Sequence, residues 1–435
     1  MQKLVRNNFT EKNNKIYWSR GLRCGVLRMK VCVLGCGTVG STAAMILGAS
    51  GLFDEIVLGD VREEAAGRVA AFCKCKTDVR CIDVNDRESL KSVMKGADVV
   101  LNCTGPFYEY GPKVLRAAID AKVNYVDVCD DLDATMKQLE MDNDARKANI
   151  TALIGMGSSP GLANVIAKYC AENLLDEAEA IDILHVHGGE ASEGAAVIKH
   201  RIHSMMMDIP MFLNGKMVTV RLFEESGRAL ETDMEFPEVG VYRVHAYPHP
   251  ETITLPKYIK GVKRVTNLGT VAPPNYINLI KDVVRLGMTS EEPIEVQGQK
   301  VVPLEFAVAF ILSRREKLLK EAGMTQAMGC LKIDVKGKKG GKEVTYSFSF
   351  TSKGAGMGEG TGIPAAIGAI LMAQGKVHGK GVLPPEACLD PMDVLRLAQE
   401  ILKRMGAKGI PLIVEITDEK GKRRVKLEEV IPELA

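Results

Sequence analysis

Three glycines with the spacing G-x-G-x-x-G directly follow a short apolar run near the start of the chain. The run is Lys30–Leu34, and the glycines are Gly35, Gly37 and Gly40. Between a strand and a helix, the first glycine allows a tight turn, the second lets a pyrophosphate approach the backbone, and the third allows close helix packing. The first N–H groups of the helix then face the phosphates. We therefore predict a dinucleotide site formed by Gly35, Gly37, Thr38, Val39 and Gly40.

Charged residues near the ends of the next two predicted strands bear on the type of dinucleotide. Asp60 lies twenty residues after Gly40, where a carboxylate accepts hydrogen bonds from the ribose hydroxyls. A carboxylate there repels a 2′-phosphate, so the sequence favours NAD. Arg62 could instead hold that phosphate, which leaves NADP open. Asp83 ends the third predicted strand and is a candidate either for the adenine pocket or for an ordinary strand-end cap.

Loops at the carboxyl ends of later strands supply further candidates, because ligands bind at that edge of a doubly wound sheet. We expect the loop after the fourth strand to run beside the ribose and nicotinamide, through Cys103, Thr104, Gly105 and Pro106. The helix start after the sixth strand is a predicted anion site for a substrate carboxylate, formed by Ser159, Pro160 and Gly161. Ordinary turn chemistry is the alternative for both loops.

Acidic residues near the nicotinamide end of this cleft are candidates for proton transfer. An ammonium group must lose its proton before the carbon beside it can lose a hydride, so an amine oxidation needs a base. We predict that this base is Asp130 or Asp127, with Glu109 as the next candidate. The alternative is that Asp130 and Asp131 cap the helix that starts at Leu132.

Histidines in the middle of the chain raise the question of a metal. His185 and His187 alternate on a predicted strand, and His200 and His203 share a helix face with Arg201 beside them. No third ligand type follows at a fixed spacing, so we predict no metal site. We expect His187 or His200 to line the substrate pocket. Arg201 and Lys199 are candidates to bind a substrate carboxylate, which a guanidinium can do bidentately. A solvated helix face is the alternative for Arg201.

Length and composition limit the class of protein that presents these residues. The 435 residues allow two or three domains at roughly 150 residues each. A net charge of +2 argues against a nucleic-acid binder that works by bulk charge, and no apolar stretch approaches the roughly 20 residues that span a bilayer. The eleven cysteines include no CxxC pair, so we interpret them as reduced thiols of a cytoplasmic protein.

Strands and helices alternate from Lys30 to Ile154, which predicts an α/β, doubly wound parallel sheet of the Rossmann type. After Gly155 the pattern changes to that of an α+β domain on an antiparallel or mixed sheet. Residues 1–28 precede the first strand as an N-terminal extension that could be disordered.

Several motifs, taken in their order, resemble those of the saccharopine dehydrogenase and lysine 6-dehydrogenase family, which includes carboxynorspermidine dehydrogenases. The matching segments are GCGTVG at 35–40, GPF at 105–107, VDV at 126–128, SSPGLAN at 158–164, TGIPAAIGAIL at 361–371 and GVLPPEA at 381–387. The resemblance implies hydride transfer between a nicotinamide and the C–N bond of an amino acid of the lysine or saccharopine type. It leaves open an opine- or polyamine-forming reductase, or an NAD-binding sensor without catalysis.

The same resemblance implies how the domains are arranged. We expect a Rossmann domain over 29–155, an inserted α+β substrate or dimerisation domain over 156–359 and a segment over 360–408 that returns to the Rossmann domain. The residue pattern itself predicts a terminal β-hairpin over 409–435, with its turn from Asp418 to Gly421. A small-molecule substrate and a homodimer are expected, with no nucleic acid or membrane as partner.

Overall fold

The computed structural model describes residues 29–190, 193–354 and 357–435, which fall into two compact units. The first unit comprises residues 29–172, 357–410 and 431–435, and the second comprises 173–190, 193–354 and 411–430. The predicted N-terminal extension, residues 1–28, lies outside the described residues.

The first unit starts as a run of alternating strands and helices. The strands are β1 (Lys30–Leu34), β2 (Glu55–Asp60), β3 (Lys76–Cys81), β4 (Val99–Asn102), β5 (Asn124–Asp127) and β6 (Thr151–Leu153). The helices are α1 (Thr38–Ala49), α2 (Glu63–Ala70), α3 (Arg87–Met94), α4 (Phe107–Ala121), α5 (Leu132–Leu139), α6 (Asp142–Lys147) and α7 (Leu162–Tyr169). Strands such as β1 and β4 are apolar along most of their length because both faces of a parallel sheet are covered.

The second unit is built on a long mixed sheet. Its strands are β7 (Glu177–Gly188), β8 (Ile209–Leu213), β9 (Lys216–Val220), β10 (Thr232–Phe236), β11 (Gly240–Ala246), β12 (Arg264–Ala272), β13 (Ile294–Val296), β14 (Gln299–Val301), β15 (Met328–Lys339) and β16 (Lys342–Lys353). Its helices are α8 (Ala195–Met206), α9 (Glu225–Arg228), α10 (Glu251–Tyr258), α11 (Pro274–Arg285) and α12 (Pro303–Glu321). The central strands of the mixed sheet, β7 and β12, are parallel, and β15 pairs antiparallel with β7, whereas β13 and β14 form a separate two-stranded sheet.

The last part of the chain contributes to both units. It contains α13 (Met357–Ala373), β17 (Gly381–Leu383), α14 (Pro385–Cys388), α15 (Pro391–Arg404), β18 (Leu412–Asp418), β19 (Gly421–Val425) and α16 (Leu427–Val430). Strand β17 pairs with β6, which gives a parallel sheet with the order β17-β6-β5-β4-β1-β2-β3. The hairpin β18–β19 continues the second sheet beside β16. The predicted fold class is confirmed.

Helix α13 is a major part of the first unit's core. Its segment from Ile363 to Met372 is apolar on all sides, and Ala365, Ile367 and Ile370 have at most 1% of their surface exposed. A helix that is apolar all round is a buried helix. The sequence predicts a helix start at Thr361 with Pro364 in its first turn, whereas α13 begins at Met357 and places Pro364 inside the helix.

Two further elements differ from the sequence prediction in their bounds. The lysine-rich segment 336–342 is the predicted hairpin tip, with its turn at Gly340 and Gly341, but β15 and β16 extend further into it than the sequence predicts. Ion pairs of its lysines, such as Lys336 with Glu343 at 3.1 Å, lie along these strands. The helix predicted from Leu132 to Lys147 is divided into α5 and α6. Within the described residues, no helix is long and apolar enough to cross a membrane.

Candidate active site

The glycine loop between β1 and α1 has one glycine that packing does not require. A Cβ built at Gly35 would lie 2.7 Å from the carbonyl oxygen of Cys103, and one at Gly40 would lie 1.8 Å from the carbonyl oxygen of Gly35. A Cβ built at Gly37 meets no atom within 4 Å. Gly35 and Gly40 are therefore needed for the fold, whereas Gly37 keeps a space open beside the backbone.

The first turn of α1 borders this open space. Gly37 is the N-cap residue, and within the described residues no side chain caps the helix and its first turn carries no acidic group. The early N–H groups and the positive end of the helix dipole thus meet no competing anion from that turn. A site with these donors and this space fits the pyrophosphate of a dinucleotide.

Asp60 stabilises the glycine loop by accepting a hydrogen bond from its backbone. Its Oδ2 accepts a hydrogen bond from the Cys36 N–H at 2.7 Å, and its Oδ1 accepts one from the Arg62 N–H at 2.8 Å. The Asp60 side chain is 9% exposed and that of Arg62 is 72% exposed, with 3.8 Å between Arg62 Nε and the carboxylate. The guanidinium of Arg62 is therefore open to solvent beside Asp60. Asp83 is exposed, and its carboxylate accepts hydrogen bonds from the backbone N–H and the side-chain amide of Asn85. This arrangement is that of the strand-end cap, the alternative that the sequence offers to an adenine pocket.

The loop after β4 lies directly beside the glycine loop. The Cys103 N–H donates to the carbonyl oxygen of Leu34 at 2.7 Å, and the Thr104 N–H donates to Asn102 Oδ1 at 3.0 Å. Thr104 Oγ1 is buried and has no hydrogen-bond partner among the described residues. Such an atom is suited to a polar ligand group at the glycine loop. Burial raises the pKa of the Cys103 thiol, which keeps it protonated.

Gly105 and Pro106 connect this loop to α4. Pro106 is the N-cap residue of that helix, and its carbonyl oxygen accepts from the Tyr110 N–H at 3.0 Å. The structure thus brings the predicted cofactor residues of the glycine loop and the β4 loop to one edge of the sheet.

Asp127 is at the centre of a buried hydrogen-bond network. It accepts hydrogen bonds from Tyr125 Oη at 2.9 Å, Gln138 Nε2 at 2.6 Å, the Cys129 N–H at 3.1 Å and the Gly155 N–H at 2.8 Å. Burial raises the pKa of Asp127, and these four donors oppose the rise. A carboxylate that accepts four hydrogen bonds holds the ends of β5 and β6 in place.

The other acidic candidates differ in exposure. Asp130 is exposed just beyond β5. Glu109 is exposed in the first turn of α4 and lies 3.9 Å from Lys113 Nζ. The side chain of Asp131 does not cap α5, although Asp131 is its N-cap residue, and instead accepts from the Tyr108 N–H of α4 at 2.9 Å. The alternative prediction of a local cap is therefore wrong for Asp131.

The N–H groups around the loop from Ser159 to Gly161 already donate hydrogen bonds to neighbouring residues of the chain. The Gly161 N–H donates to Asn164 Oδ1 at 3.0 Å, and the Leu162 N–H donates to the carbonyl oxygen of Gly157 at 2.9 Å. The carbonyl oxygen of Pro160 accepts from the Gly157 N–H at 2.9 Å. The start of α7 is thus occupied by bonds within the loop, which leaves fewer N–H groups for the carboxylate that the sequence predicts there.

Arg201 and His187 lie together in the second unit. Arg201 is 5% exposed and forms a buried ion pair with Glu193, which also pairs with Arg315 at 3.2 Å. Arg201 Nη2 is 3.4 Å from His187 Nε2, and burial lowers the pKa of His187 well below its ordinary value. The predicted carboxylate-binding guanidinium is therefore already paired with a carboxylate of the chain.

The structure brings together a cluster of histidine, tyrosine and glutamate side chains that the sequence interpretation missed. His185 packs edge-on against Tyr247, with ring centroids 4.7 Å apart, and its centroid is 5.9 Å from that of His249. His249 Nδ1 is 3.1 Å from the fully buried carboxylate of Glu251. The alternation of His245, Tyr247 and His249 in the sequence could have indicated this group. The described residues contain no cluster of three or more side chains that could hold a metal ion.

Comparisons with known proteins agree with this architecture. Residues 31–153 match the family model "Saccharopine dehydrogenase NADP binding domain", and residues 157–410 match "Saccharopine dehydrogenase C-terminal domain". Carboxyaminopropylagmatine dehydrogenase of Synechocystis sp. is 26% identical over 409 residues, which is 88% of this chain and 96% of that protein. Carboxynorspermidine synthase of Vibrio alginolyticus is 27% identical over 353 residues, 73% of this chain and 79% of that protein.

A solved structure shares the fold. Saccharopine dehydrogenase (L-Glu forming) from Saccharomyces cerevisiae superimposes with a TM-score of 0.65 at 15% identity, covering 92% of this chain and all of that one. Because one family model alone spans residues 157–410 and another covers the nucleotide-binding part, the chain belongs to the saccharopine dehydrogenase family of NAD(P)-dependent oxidoreductases.

Proposed function

We propose that the protein is a reductase that joins a di- or polyamine to a carboxyl-bearing carbonyl compound and forms a secondary amine. The open space over Gly37 at the uncapped start of α1 carries the dinucleotide-dependent part of this proposal. Similarity to relatives named for carboxyaminopropylagmatine and carboxynorspermidine, over 96% and 79% of their lengths, supports an amine as substrate. This choice favours the polyamine alternative over an amino acid of the lysine type.

Residues of the first unit would hold the cofactor. The backbone at Gly37, Thr38 and Val39 would bind the pyrophosphate, and Thr104 Oγ1 would donate to a polar group of the dinucleotide or accept from it. Arg62, with its exposed guanidinium, would bind the 2′-phosphate of NADP, while Asp60 fixes the loop. When bound, the reduced nicotinamide supplies the hydride that saturates the C=N bond.

Residues of the chain would then transfer protons and position the groups that react. Condensation of an amine with a carbonyl releases water, and the nitrogen must lose a proton before it attacks. We assign proton transfer to Asp130, which is exposed beyond the carboxyl end of β5, with Glu109 as second candidate. Asp127, saturated by four hydrogen bonds, acts as a positioning residue.

A coupled-substrate assay tests this proposal. The purified protein is incubated with NADPH or NADH, one amine and one carboxyl-bearing aldehyde or 2-oxo acid, and nicotinamide absorbance and product mass are followed. We expect a product whose mass equals the amine plus the carbonyl compound, minus water, plus two hydrogens, with a diamine or agmatine as the best amine. Turnover only with lysine or saccharopine would contradict the polyamine assignment. Cofactor binding with no turnover in any combination would indicate a sensor.

A further inference from the structure

Four buried side-chain atoms that lack a hydrogen-bond partner lie near one another in the second unit. They are His185 Nε2, His245 Nδ1 and both amide atoms of Asn267, judged against the described part of the chain. Asn267 is 0% exposed and His245 is 2% exposed. A buried carboxamide with neither donor nor acceptor satisfied destabilises the fold. The partner of these atoms therefore lies outside the described residues, as a bound ligand would.

Strand register places these groups on one face of the sheet. Gly269 of β12 pairs with His185 of β7 on one side and with His245 of β11 on the other. Asn267 lies two residues before Gly269 and therefore points to the same face. A Cβ at position 269 would be 2.0 Å from His185 Cε1, so the glycine makes room for the imidazole ring.

Aromatic side chains complete this face, which we call the imidazole face and define as His185, His187, His245, Tyr247 and Asn267. The His185 and His187 rings stack with centroids 6.1 Å apart. His185, His187 and Tyr247 are partly exposed, whereas Asn267 and His245 are buried. The Asn267 side chain lies beside His185 and raises its pKa, against the larger effect of burial. The Asn267 amide atoms and His185 Nε2 nevertheless meet no described residue at hydrogen-bonding distance and angle.

The charges around the imidazole face favour a cation. Burial lowers the pKa of His185 to about 3, so its ring is neutral and one of its nitrogens is an acceptor. The carboxylate of Glu251 is 0% exposed beside His249, whose ring is 5.9 Å from that of His185. Two cations lie near the face, and each is paired with a carboxylate of the chain. Arg201, beside His187, shares Glu193 with Arg315, and Lys281, whose charge helps to lower the pKa of His245, pairs with Glu231 at 3.7 Å. The neutral ring nitrogens remain as acceptors for a donor such as an ammonium group.

We propose that the imidazole face binds the primary amine group of the substrate. An ammonium group donates three hydrogen bonds, which His185 and the Asn267 carbonyl can accept, and it gains further attraction over the face of an aromatic ring such as Tyr247. The partly exposed rings provide the side from which the amine enters. This inference deepens the proposed function, on which it rests for the amine as a reactant.

Asn267→Leu tests the site because it separates stability from binding. Leucine has a similar volume and no unsatisfied polar atoms, so the free protein should keep its Tm or gain a few degrees. Isothermal titration of the full chain with 1,4-diaminobutane should show at least a tenfold higher Kd for the variant. Butane-1,4-diol, which has the same length and no charge, should bind neither protein.

Two further variants make the result specific. Ser349→Ala removes a buried hydroxyl on the opposite face of the same sheet that also lacks a hydrogen-bond partner among the described residues, and it should leave the diamine Kd unchanged. His185→Gln keeps a neutral acceptor and should bind more tightly than His185→Leu. If Asn267→Leu binds the diamine as the natural chain does, or if the natural chain binds none, the inference is overturned.

The titration also distinguishes the inference from the proposed function, because it needs no turnover. Diamine binding that depends on Asn267, without any reaction in the coupled assay, would refute the reductase and leave the amine site standing. Turnover with an amine together with an unchanged Kd and KM in Asn267→Leu would refute the amine site alone.

Discussion

At Gly37, the effect of a substitution on cofactor binding can be separated from its effect on folding. Its neighbours in the motif are needed for packing, since a Cβ at Gly35 or Gly40 would collide with backbone atoms, whereas a Cβ at Gly37 meets nothing within 4 Å. A methyl group there would occupy only the space beside the α1 backbone. Gly37 is thus the motif residue at which the ligand can be tested without disturbing the fold.

Gly37→Ala is therefore expected to change the free energy of unfolding by less than about 1 kcal/mol and to raise the Kd for NADPH at least tenfold. Urea unfolding and fluorescence titration with NADPH measure the two quantities. Gly40→Ala is the comparison, and it should fail to fold stably because its Cβ would be 1.8 Å from a carbonyl oxygen. An unchanged Kd in Gly37→Ala would refute the pyrophosphate site.

The pairing of α13 with α1 shows how glycines position an element. A Cβ at Gly362 would lie 2.7 Å from Thr42 Cβ and 2.8 Å from the Val39 carbonyl oxygen, so this glycine lets α13 approach the first turns of α1. Gly360, two residues earlier in the same helix, is exposed, and a Cβ there meets no atom within 4 Å. The two positions form a matched pair.

Gly362→Ala is expected to lower the free energy of unfolding by about 2 kcal/mol through overpacking and to weaken NADPH binding by displacing the start of α1. Gly360→Ala should stabilise the protein by about 0.5–1 kcal/mol, because alanine has the higher helix propensity. Chemical denaturation of both variants checks this, and equal effects would contradict the packing role of Gly362.

The strands of the imidazole face should make the second unit sensitive to acid. Burial lowers the pKa of His185 to about 3 in the folded protein, against about 6.5 in the unfolded chain. Between these values the unfolded state binds more protons, so the stability due to neutral His185 is complete above pH 6.5 and decreases as the pH falls towards 3. Burial lowers the pKa of His187 and His245 in the same direction.

Lowering the pH from 7 to 5 should thus cost at most about 2 kcal/mol of unfolding free energy through His185, less where solvent screens the ring. His185→Gln, which does not titrate, should show a smaller loss over the same interval. Urea unfolding curves at pH 7 and pH 5 give both values. An identical pH dependence in the variant would show that His185 is not buried in its neutral form.

At the scale of the whole molecule, the proposed function assigns cofactor binding and amine binding to different units, each made of segments distant in sequence. The predicted dinucleotide residues all belong to the first unit, and the imidazole face belongs to the second. Segment 357–410 completes the first unit, since β17 extends its sheet and α13 packs on α1. Each ligand should therefore leave its own pattern of protection along the chain.

Hydrogen–deuterium exchange of the full chain is expected to separate the two ligands. NADPH alone should slow amide exchange at residues 35–41 and 103–107, and 1,4-diaminobutane alone should slow it at 183–188, 244–250 and 265–270. Asn267→Leu should lose only the second pattern, and Gly37→Ala only the first. Diamine protection confined to the first unit would contradict the assignment of tasks.

The sequence by itself determined the features that depend on local pattern. The G-x-G-x-x-G spacing after an apolar strand, the alternation of strands and helices up to residue 154, and the turn at Gly421 follow from short-range rules of conformation and burial. These rules predicted the doubly wound sheet and placed its cofactor loops at one edge. The motifs in their order also resembled those of a known family, and the comparisons confirmed that family.

Only the tertiary structure decided which polar side chains meet. The sequence predicts Asp60, Asp127 and Arg201 as site residues and cannot tell how each is used. In the fold, Asp60 accepts a hydrogen bond from the glycine loop, and Asp127 accepts four hydrogen bonds within the chain. Arg201 is paired with Glu193. Asn267 gave no sign in the sequence, because its neighbours on β7 and β11 are set by strand register between distant segments. Burial, charge pairing and hydrogen-bond satisfaction are properties of packed neighbours, and the order of residues along the chain does not specify them.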